Sequence, residues 1–396
     1  MRLRGRTAVA ALSAALLLAT PVATAQALPG PAPAPAASAA GTVELPRPTG
    51  PYAVGTETLH LTDHSRTDPW VPESGDRELM VSLYYPARVG RPGATAPYMS
   101  TGEAEALLAR LGLGDDAPAL VSSLPTHART GARTARGSFP LVLLSPGFGN
   151  PRATMTSLAE DLASRGYVVA SVDHAYEAIG VAFPGGRILT CAACEAVETA
   201  PDEEAEQEVV KAVSTGRGAD LSFVLDRLTG PRPAWEHSGM IDRRRVAAVG
   251  HSIGGSAAAS TMLADPRVDA GVNMDGTFQE RIPASGLDGR PFMMLGTASH
   301  SPGDDESWDE GWQRLDGWKR WIGVDGSGHS SFTDIPVLED RMDVTLDPTV
   351  TLSTDRQVRI TRDYVSAFLD QHLRGHHRPL LDGPTSGNPE VVFNRP

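Results

Sequence analysis

The chain has 396 residues, of which 41% are hydrophobic, and this is enough apolar material to bury a sizeable core. Its 48 acidic and 35 basic residues give a formal net charge of −13 at pH 7. An acidic surface repels the phosphates of nucleic acids and of anionic lipids. The composition therefore argues against nucleic-acid binding as the main function and against a general attraction to anionic membranes.

The amino terminus has the layout of a secretory signal. Three arginines stand among the first six residues, an apolar run follows over residues 7–18, and Ala23-Thr24-Ala25 is a sequence that signal peptidase accepts. A helical run of this length is well short of the roughly 30 Å hydrocarbon core of a bilayer, so a membrane anchor is not favoured. We therefore predict a signal peptide over residues 1–25 and a secreted, extracellular protein without stable membrane insertion.

Residues 26–50 are rich in Pro, Ala and Gly and predict a flexible leader before a single domain over residues 51–396. From about residue 141, short apolar runs alternate with segments of helical periodicity, which is typical of a parallel sheet covered on both faces. The predicted strands are Thr58–Thr62, Glu78–Tyr85, Leu141–Leu144, Tyr167–Val172, Arg245–Val249, Ala270–Met274, Phe292–Leu295 and Trp321–Val324. The predicted helices are Met155–Arg165, Gly218–Leu228, Ser256–Leu263 and Asp355–Leu373.

The central motif is the segment Gly250–Gly255, which reads Gly-His-Ser-Ile-Gly-Gly and places Ser252 in a G-x-S-x-G pattern. The pattern by itself is weak, and a plain Gly-rich turn is the alternative. A predicted strand precedes it and a predicted helix follows it, as a nucleophile elbow requires, and the glycines allow the sharp turn that exposes the serine hydroxyl. We therefore predict Ser252 as a nucleophile on an α/β-hydrolase fold, with a mostly parallel central sheet and helices on both faces.

A serine hydroxyl becomes a nucleophile when a histidine base and an orienting carboxylate support it, and in this fold both follow the serine in the chain. Asp275 ends a predicted strand, where sites in open sheets gather, although an ordinary turn is the alternative. His329 lies in a flexible loop after the strand that ends at Val324, and we predict it as the base. His300, in another loop that follows a strand, is the rival. The other downstream histidines, at the end of the last helix, are His372, His376 and His377.

Negative charge that develops on the substrate carbonyl oxygen needs two backbone N–H donors. The residue after the nucleophile, Ile253, supplies the first by its position. The second is expected from the segment Ser145–Asn150, which follows an early strand, and we predict the N–H of Phe148. A plain Gly-rich turn between strand and helix is the alternative for this segment.

Two cysteines, Cys191 and Cys194, form a C-x-x-C pattern in what the flanking sequence indicates is a surface loop. In an exported protein a local disulfide is favoured over a redox or metal role, and no further His or Cys close in sequence completes a zinc site. The pair lies within residues 180–215, where many hydrolases carry a lid or cap that selects the substrate. An acidic, solvent-exposed excursion is the alternative for this region.

Several segments together resemble the plasma-type platelet-activating factor acetylhydrolase family, and the resemblance covers residues 79–373. The steps of 23 residues from Ser252 to Asp275 and of 54 residues to His329 are similar to the triad spacing of that family. The chain departs from the animal enzymes in its Pro-rich leader, its cysteine pair, the acidic run Asp202–Glu206 and Pro146, which precedes Gly147. The segments that carry the resemblance are Ser145–Gly149, Asp161–Tyr167, Gly250–Gly255, Asp275 and the pattern His329-x-x-Phe332-x-Asp334.

The resemblance implies a carboxylic ester hydrolase that uses neither metal nor other cofactor. Its substrates would be short or oxidised acyl esters at the second glycerol position of phospholipids, met by transient contact with a lipid surface. One fold hosts many ester substrates, so a broader secreted lipase, cutinase or polyester hydrolase is the alternative. A catalytically silent hydrolase-fold binding protein is a remote alternative.

Overall fold

The computed structural model describes residues 44–90, 93–113 and 118–395. The predicted signal peptide, residues 1–25, and most of the predicted leader lie outside these ranges. Across the described ranges, none of the helices combines the length and the apolar character needed to cross a bilayer.

Twelve strands and nine α-helices occur in the described part of the chain. The strands are β1 (Ala53–Thr67), β2 (Asp76–Ala87), β3 (Arg129–Thr130), β4 (Phe139–Ser145), β5 (Val168–His174), β6 (Val181–Phe183), β7 (Arg187–Leu189), β8 (Ile241–His251), β9 (Ala270–Met274), β10 (Phe292–Gly296), β11 (Lys319–Val324) and β12 (Val391–Asn394). The helices are α1 (Thr101–Arg110), α2 (Pro118–Ser122), α3 (Thr156–Ser164), α4 (Ala192–Glu198), α5 (Glu203–Thr229), α6 (Ile253–Ala264), α7 (Glu306–Arg314), α8 (Ile335–Met342) and α9 (Thr354–Arg374).

Ten of these strands form one sheet in the order β12-β11-β10-β9-β8-β4-β5-β2-β1-β3. The six strands from β11 across to β5 run parallel to one another, while β12, β2 and β1 are each antiparallel to a neighbour. Strands β6 and β7 form a separate hairpin. The parallel order brings the carboxyl ends of β4, β8, β9 and β11 to one edge of the sheet, where α/β proteins place their sites.

Side chains of the central strands alternate between two buried layers, because successive residues of a strand point to opposite faces. On β4, Leu141 and Leu143 pack with α5 and α6, while Val142 and Leu144 pack with α3 and α9. Helices therefore cover both faces of a strand that is apolar throughout. The predicted architecture, a mostly parallel sheet with helices on both faces, is confirmed.

The last residues of the predicted leader, 44–50, contact the domain that follows. They form neither helix nor strand, yet the Leu45 side chain is fully buried. The N–H and hydroxyl of Thr49 both donate to Asp161, and the N–H of Gly50 donates to Ser164. The described fold thus begins before residue 51, on a surface formed by α3.

Candidate active site

Ser252 occupies a strained turn between β8 and α6. Its φ of +56° and ψ of −128° lie where a residue with a side chain is rarely found, and such strain persists only when the surroundings impose it. A Cβ on Gly250 would overlap the carbonyl of Gly254, and one on Gly254 would overlap the carbonyl of Ser145. The N–H of Ser252 donates to Met274 O at 2.8 Å, which ties the turn to β9.

Asp275 follows β9 in a left-handed conformation, with a φ of +59°. The next residue, Gly276, lies so close to the carbonyl of Ser252 that a Cβ there would collide with it. The Asp275 side chain is buried, and its Oδ1 accepts the N–H of Thr297 at 2.7 Å and the hydroxyl of Thr297 at 2.9 Å. Burial by itself would raise the pKa of Asp275, but hydrogen bonds from His300 and His329 outweigh it and hold the pKa well below its usual range.

His329 binds the opposite oxygen of this carboxylate. Its Nδ1 lies 2.6 Å from Oδ2 of Asp275, and its half-exposed side chain leaves Nε2 as the nitrogen for an incoming group. The carbonyl of His329 accepts the Nε2–H of His251, the residue before Ser252, at 2.7 Å. The two imidazole rings lie 4.6 Å apart, so the histidine loop is attached directly to the serine turn.

The attachment through His251 was missed by the sequence analysis, because the position before the serine in G-x-S-x-G carries no fixed chemistry. Burial lowers the pKa of His251 to about 3, and the nearby His329 is a second, smaller cause of this shift. The ring is therefore neutral at physiological pH, and the hydrogen bond to a carbonyl places its single proton on Nε2. Its Nδ1 faces Gly147, where a Cβ would lie only 2.9 Å away.

The rival His300 also binds Asp275, but in a different way. Its Nδ1 lies 2.8 Å from Oδ1 of Asp275 and its Nε2 lies 3.2 Å from Oδ2 of Asp305. With both ring nitrogens turned to carboxylates, His300 has none left to take a proton from a serine. Of the two histidines, only His329 combines a bond to Asp275 with an available nitrogen.

Phe148 and Ile253, the two predicted oxyanion donors, pack against the same buried apolar cluster. In the loop after β4, the N–H of Gly149 donates to Glu177 O and that of Asn150 donates to Gly147 O. Within the described ranges, the N–H groups of Phe148 and Ile253 have no protein acceptor. The loop after β4 and the first residue of α6 therefore each carry one N–H without a protein acceptor in the described structure.

A buried ion network supports the loop that carries Phe148. Arg217 of α5 donates from Nη1 to Pro146 O at 2.6 Å and from Nε to Glu177 at 2.7 Å. The other oxygen of Glu177 binds Arg77 of β2 at 2.6 Å, and Arg77 also binds Asp220 at 2.8 Å. These side chains are fully buried, and no sequence motif indicates that they meet.

Cys191 and Cys194 are joined, with their sulfur atoms 2.05 Å apart. Cys191 is the N-cap of the short helix α4, Cys194 lies in its first turn, and both are buried, so the surface loop expected from the flanking sequence is wrong. The reason is their packing, since the bonded pair lies in the apolar cluster with Ile253 and against Phe148. The disulfide segment thus adjoins both predicted oxyanion donors.

The geometry as a whole resembles a serine acyl-transfer site. In the described part of the chain, no group of three or more His, Cys, Asp or Glu side chains is arranged to hold a metal ion.

Comparison with known proteins agrees with this geometry. The family model described as platelet-activating factor acetylhydrolase, isoform II, matches residues 37–183 and 206–379. A protein of Arthroderma benhamiae named "Probable 1-alkyl-2-acetylglycerophosphocholine esterase" is 30% identical over 381 residues, covering 88% of this chain and 93% of that protein. Platelet-activating factor acetylhydrolase of Cavia porcellus is 25% identical over 321 residues, covering 74% of this chain and 70% of its own length.

Among solved structures, the ferulic acid esterase from Streptomyces cinnamoneus is similar, with a TM-score of 0.77 and 46% identity. The similarity covers 89% of this chain and 99% of that structure, and the shared fold is of the α/β-hydrolase type. The predicted resemblance is therefore confirmed. Residues 184–205, which include the disulfide, fall outside the family match.

Proposed function

We propose, on the premise that the chain belongs to the platelet-activating factor acetylhydrolase family of carboxylic ester hydrolases, that Ser252, His329 and Asp275 hydrolyse esters through an acyl-enzyme. The observation that carries the proposal is the 2.6 Å bond from His329 to a buried carboxylate, beside a serine in a strained turn. A base that is oriented by a third group is the recurring signature of an activated serine.

The reaction proceeds in two acyl transfers. The Oγ atom of Ser252 attacks the ester carbonyl as Nε2 of His329 takes its proton, and Asp275 holds the imidazolium that forms. Collapse of the tetrahedral intermediate breaks the ester bond, and His329 returns the proton to the leaving alcohol. Water then attacks the acyl-enzyme by the same route, so that the acid is released and the serine is restored.

The N–H groups of Phe148 and Ile253 stabilise the oxyanion in both steps. Donors that are already aimed at this position cost no reorganisation during the reaction, and one such donor contributes roughly 3 kcal/mol. Arg217 and Glu177 keep the Phe148 loop in place through Pro146 O and the N–H of Gly149.

The proposed substrate is a short-acyl ester of a phospholipid. The names of the fungal and guinea pig relatives support an acetyl group at the reacting position. The guanidinium of Arg110 lies about 3 Å from the place where a Gly149 side chain would begin, next to Phe148, and among the described residues it has no ion-pair partner. A free cation beside the oxyanion loop suits the phosphate of such a substrate.

Arg110→Gln is therefore expected to raise KM about tenfold for a short-acyl phosphatidylcholine and to leave hydrolysis of neutral p-nitrophenyl acetate unchanged. Arg244→Gln, at an arginine whose side chain is 93% exposed, is the matched control. Equal losses on both esters would argue against a phosphate contact.

A second candidate function is a broader esterase that accepts aryl or polyester substrates. The observation in its favour is the 46% identity to a ferulic acid esterase, which exceeds the identity to either named relative. A lipase, cutinase or polyester hydrolase would share the same triad and differ in the acyl and alcohol sites.

The deciding experiment compares matched esters: short-acyl and long-acyl phospholipids, methyl ferulate, p-nitrophenyl acetate and palmitate, and polyester film. Ser252→Ala should lose activity on every ester, by about 10⁶-fold in kcat, while its fold is retained. Ser123→Ala, at an exposed serine, is the control. A dominant short-acyl phospholipid supports the proposal, dominant ferulate or polyester supports the second candidate, and an active Ser252→Ala refutes the triad.

A catalytically silent binding protein is tested separately. A serine-reactive phosphonate should label the wild-type protein at Ser252, and the Ser252→Ala variant should remain unlabelled. Failure to label the folded wild-type protein would favour the silent alternative.

We also propose that the protein is exported. The arginine-led apolar run and Ala23-Thr24-Ala25 support it, as does a bonded cysteine pair, which is typical of oxidising compartments. Expression of the full chain in a bacterial host should release protein whose amino-terminal sequence begins near residue 26. Protein that stays in the cytoplasm with residues 1–25 attached would contradict export.

A further inference from the structure

A second histidine shares the aspartate that His329 contacts. The Nδ1 atom of His300 lies 2.8 Å from Oδ1 of Asp275, while His329 binds Oδ2. The other nitrogen of His300 lies 3.2 Å from Oδ2 of Asp305. The Asp275 carboxylate thus contacts two imidazoles, and the His300 imidazole bridges two carboxylates.

The partners of the two carboxylates determine the protons on His300. Asp305 is the N-cap of α7, where it accepts the backbone N–H groups of Ser307 and Trp308, and it also accepts the hydroxyl of Thr277. Asp275 accepts the N–H and the hydroxyl of Thr297. A carboxylate whose oxygens face hydrogen-bond donors is ionised, because a proton added to it would point at a donor and find no acceptor. Both nitrogens of His300 therefore carry a proton, and its ring is a cation.

The surroundings of His300 are consistent with a fixed charge. Its ring stacks on Trp308 of α7 at 4.5 Å, and its carbonyl accepts the indole N–H of Trp321 of β11. Neither indole titrates, so the charged groups that face the ring in the described structure are Asp275 and Asp305. Burial by itself would lower the pKa of His300, but hydrogen bonds to the two carboxylates outweigh it and raise the pKa to about 9.

We propose that His300 is a positioning residue that holds Asp275 from the side opposite His329 and, as a lasting cation, offsets part of the aspartate charge. The inference rests on the proposed role of His329 as the base. In the described structure His329 also stacks on His251, which stays neutral, and Asp347 faces its loop, with Oδ2 lying 2.8 Å from the place where a Gly328 side chain would begin. A partly compensated Asp275 attracts a proton onto His329 less strongly than an uncompensated carboxylate would.

Asp305→Asn is the sharpest test, because asparagine also caps a helix and its amide donates to Nε2 of His300. The ring then becomes neutral but keeps its Nδ1–H bond to Asp275. Removal of the cation should move the acid limb of kcat/KM for p-nitrophenyl acetate to higher pH by about one unit. Asp202→Asn, the same substitution at the exposed N-cap of α5, should leave the profile unchanged.

His300→Asn supplies a second variant, since its amide can still donate to Asp275 while the charge is lost. It should shift the acid limb in the same direction as Asp305→Asn. An unmoved acid limb in a folded Asp305→Asn protein overturns the proposal, because a purely structural role for His300 predicts that result.

Nitrogen NMR of the Ser252→Ala protein measures the protonation of each histidine ring nitrogen in the absence of turnover. Both nitrogens of His300 should be protonated at pH 7.5, and Asp305→Asn should remove one proton. A neutral His300 in the parent protein overturns the proposal whatever the kinetics show. Full activity of Ser252→Ala would refute the triad instead, so the two failures are distinguishable.

Discussion

The two halves of the candidate site are held in place by different physical means. The turn at Ser252 depends on backbone sterics, because Gly254 has no room for a Cβ and lies two residues away in the chain. The loop that carries Phe148 depends on side chains from distant segments, since Arg217 of α5 supports it through Pro146 O and Glu177.

This difference has consequences for what each half tolerates. A turn that is set by backbone sterics depends on a few neighbouring residues. A change at this turn should therefore affect only the chemistry at Ser252. A buried ion network joins β2, the segment after β5 and α5, and removal of one member leaves its partners charged in a dry interior. Substitutions in the network should therefore reduce stability and activity together, whereas replacement of Ser252 by alanine should reduce activity alone.

The largest expected effect belongs to the triad half. Asp275→Asn should lower kcat by about 10⁴-fold, because His329 then adopts the wrong tautomer, and it should also cost stability, because His300 loses an anionic partner. Steady-state kinetics and urea unfolding on the same samples separate the two effects. Asp288→Asn, at an exposed aspartate with a similar left-handed φ of +57°, should change neither. A loss of stability in Asp275→Asn as large as the loss in a network variant would erase the contrast between the two halves.

The next effect tests the network half. Arg217→Met leaves Pro146 O and one oxygen of Glu177 without their partner, and it should reduce the free energy of unfolding by about 3–5 kcal/mol. The kcat should fall as well, because the Phe148 loop loses its support. Arg227→Met, at an exposed position of the same helix, should match the wild-type protein. Normal stability with reduced kcat would show that the network serves only the chemistry.

His251 links the two halves, and its substitution should have an intermediate effect. His251→Phe keeps the ring but removes the donor to His329 O, and leaving that carbonyl unpaired costs roughly 1–3 kcal/mol. We expect kcat/KM to fall by about 10–100-fold, with partial recovery in His251→Gln, whose amide can donate. Equal losses in both variants would indicate that ring packing matters more than the hydrogen bond.

The smallest expected effect concerns pH and stability. The pKa of His300 is about 9 in the folded protein, above the ordinary value of 6.5. The charged ring therefore stabilises the fold fully below about pH 6.5, and this stabilisation is lost as the pH rises through 9. Between those limits the free energy of unfolding should fall by on the order of 2 kcal/mol. Urea titrations at pH 6.5 and 9.5 measure the fall, and Asp305→Asn should flatten it.

Element boundaries show where sequence patterns stop being informative. The strand predicted over five positions at Thr58–Thr62 extends over Ala53–Thr67, because pairing with β2 continues past the alternating residues. The helix predicted at Gly218–Leu228 begins at Glu203, since its acidic first turns are exposed and carry no apolar periodicity. Both segments were recognised from their buried part, which is the part that leaves a hydrophobic pattern.

The candidate site divides in the same way. Ser252, Asp275 and His329 were predicted because each follows a recognisable strand and because chain order limits the choice. The sequence left His300 as a rival for the same role, and the two histidines differ in the structure because Asp305 occupies the second nitrogen of His300.

The sequence by itself thus determined the parallel core and the serine turn, because apolar periodicity and glycine spacing act over a few residues, and it supplied the chain order of the candidate triad. Tertiary structure alone decided that Arg217 supports the Phe148 loop, that the disulfide lies against Phe148 and Ile253, and that His300 bridges two carboxylates. These contacts join segments that are far apart in the chain, and their free energy comes from burial and charge pairing that exist only after folding.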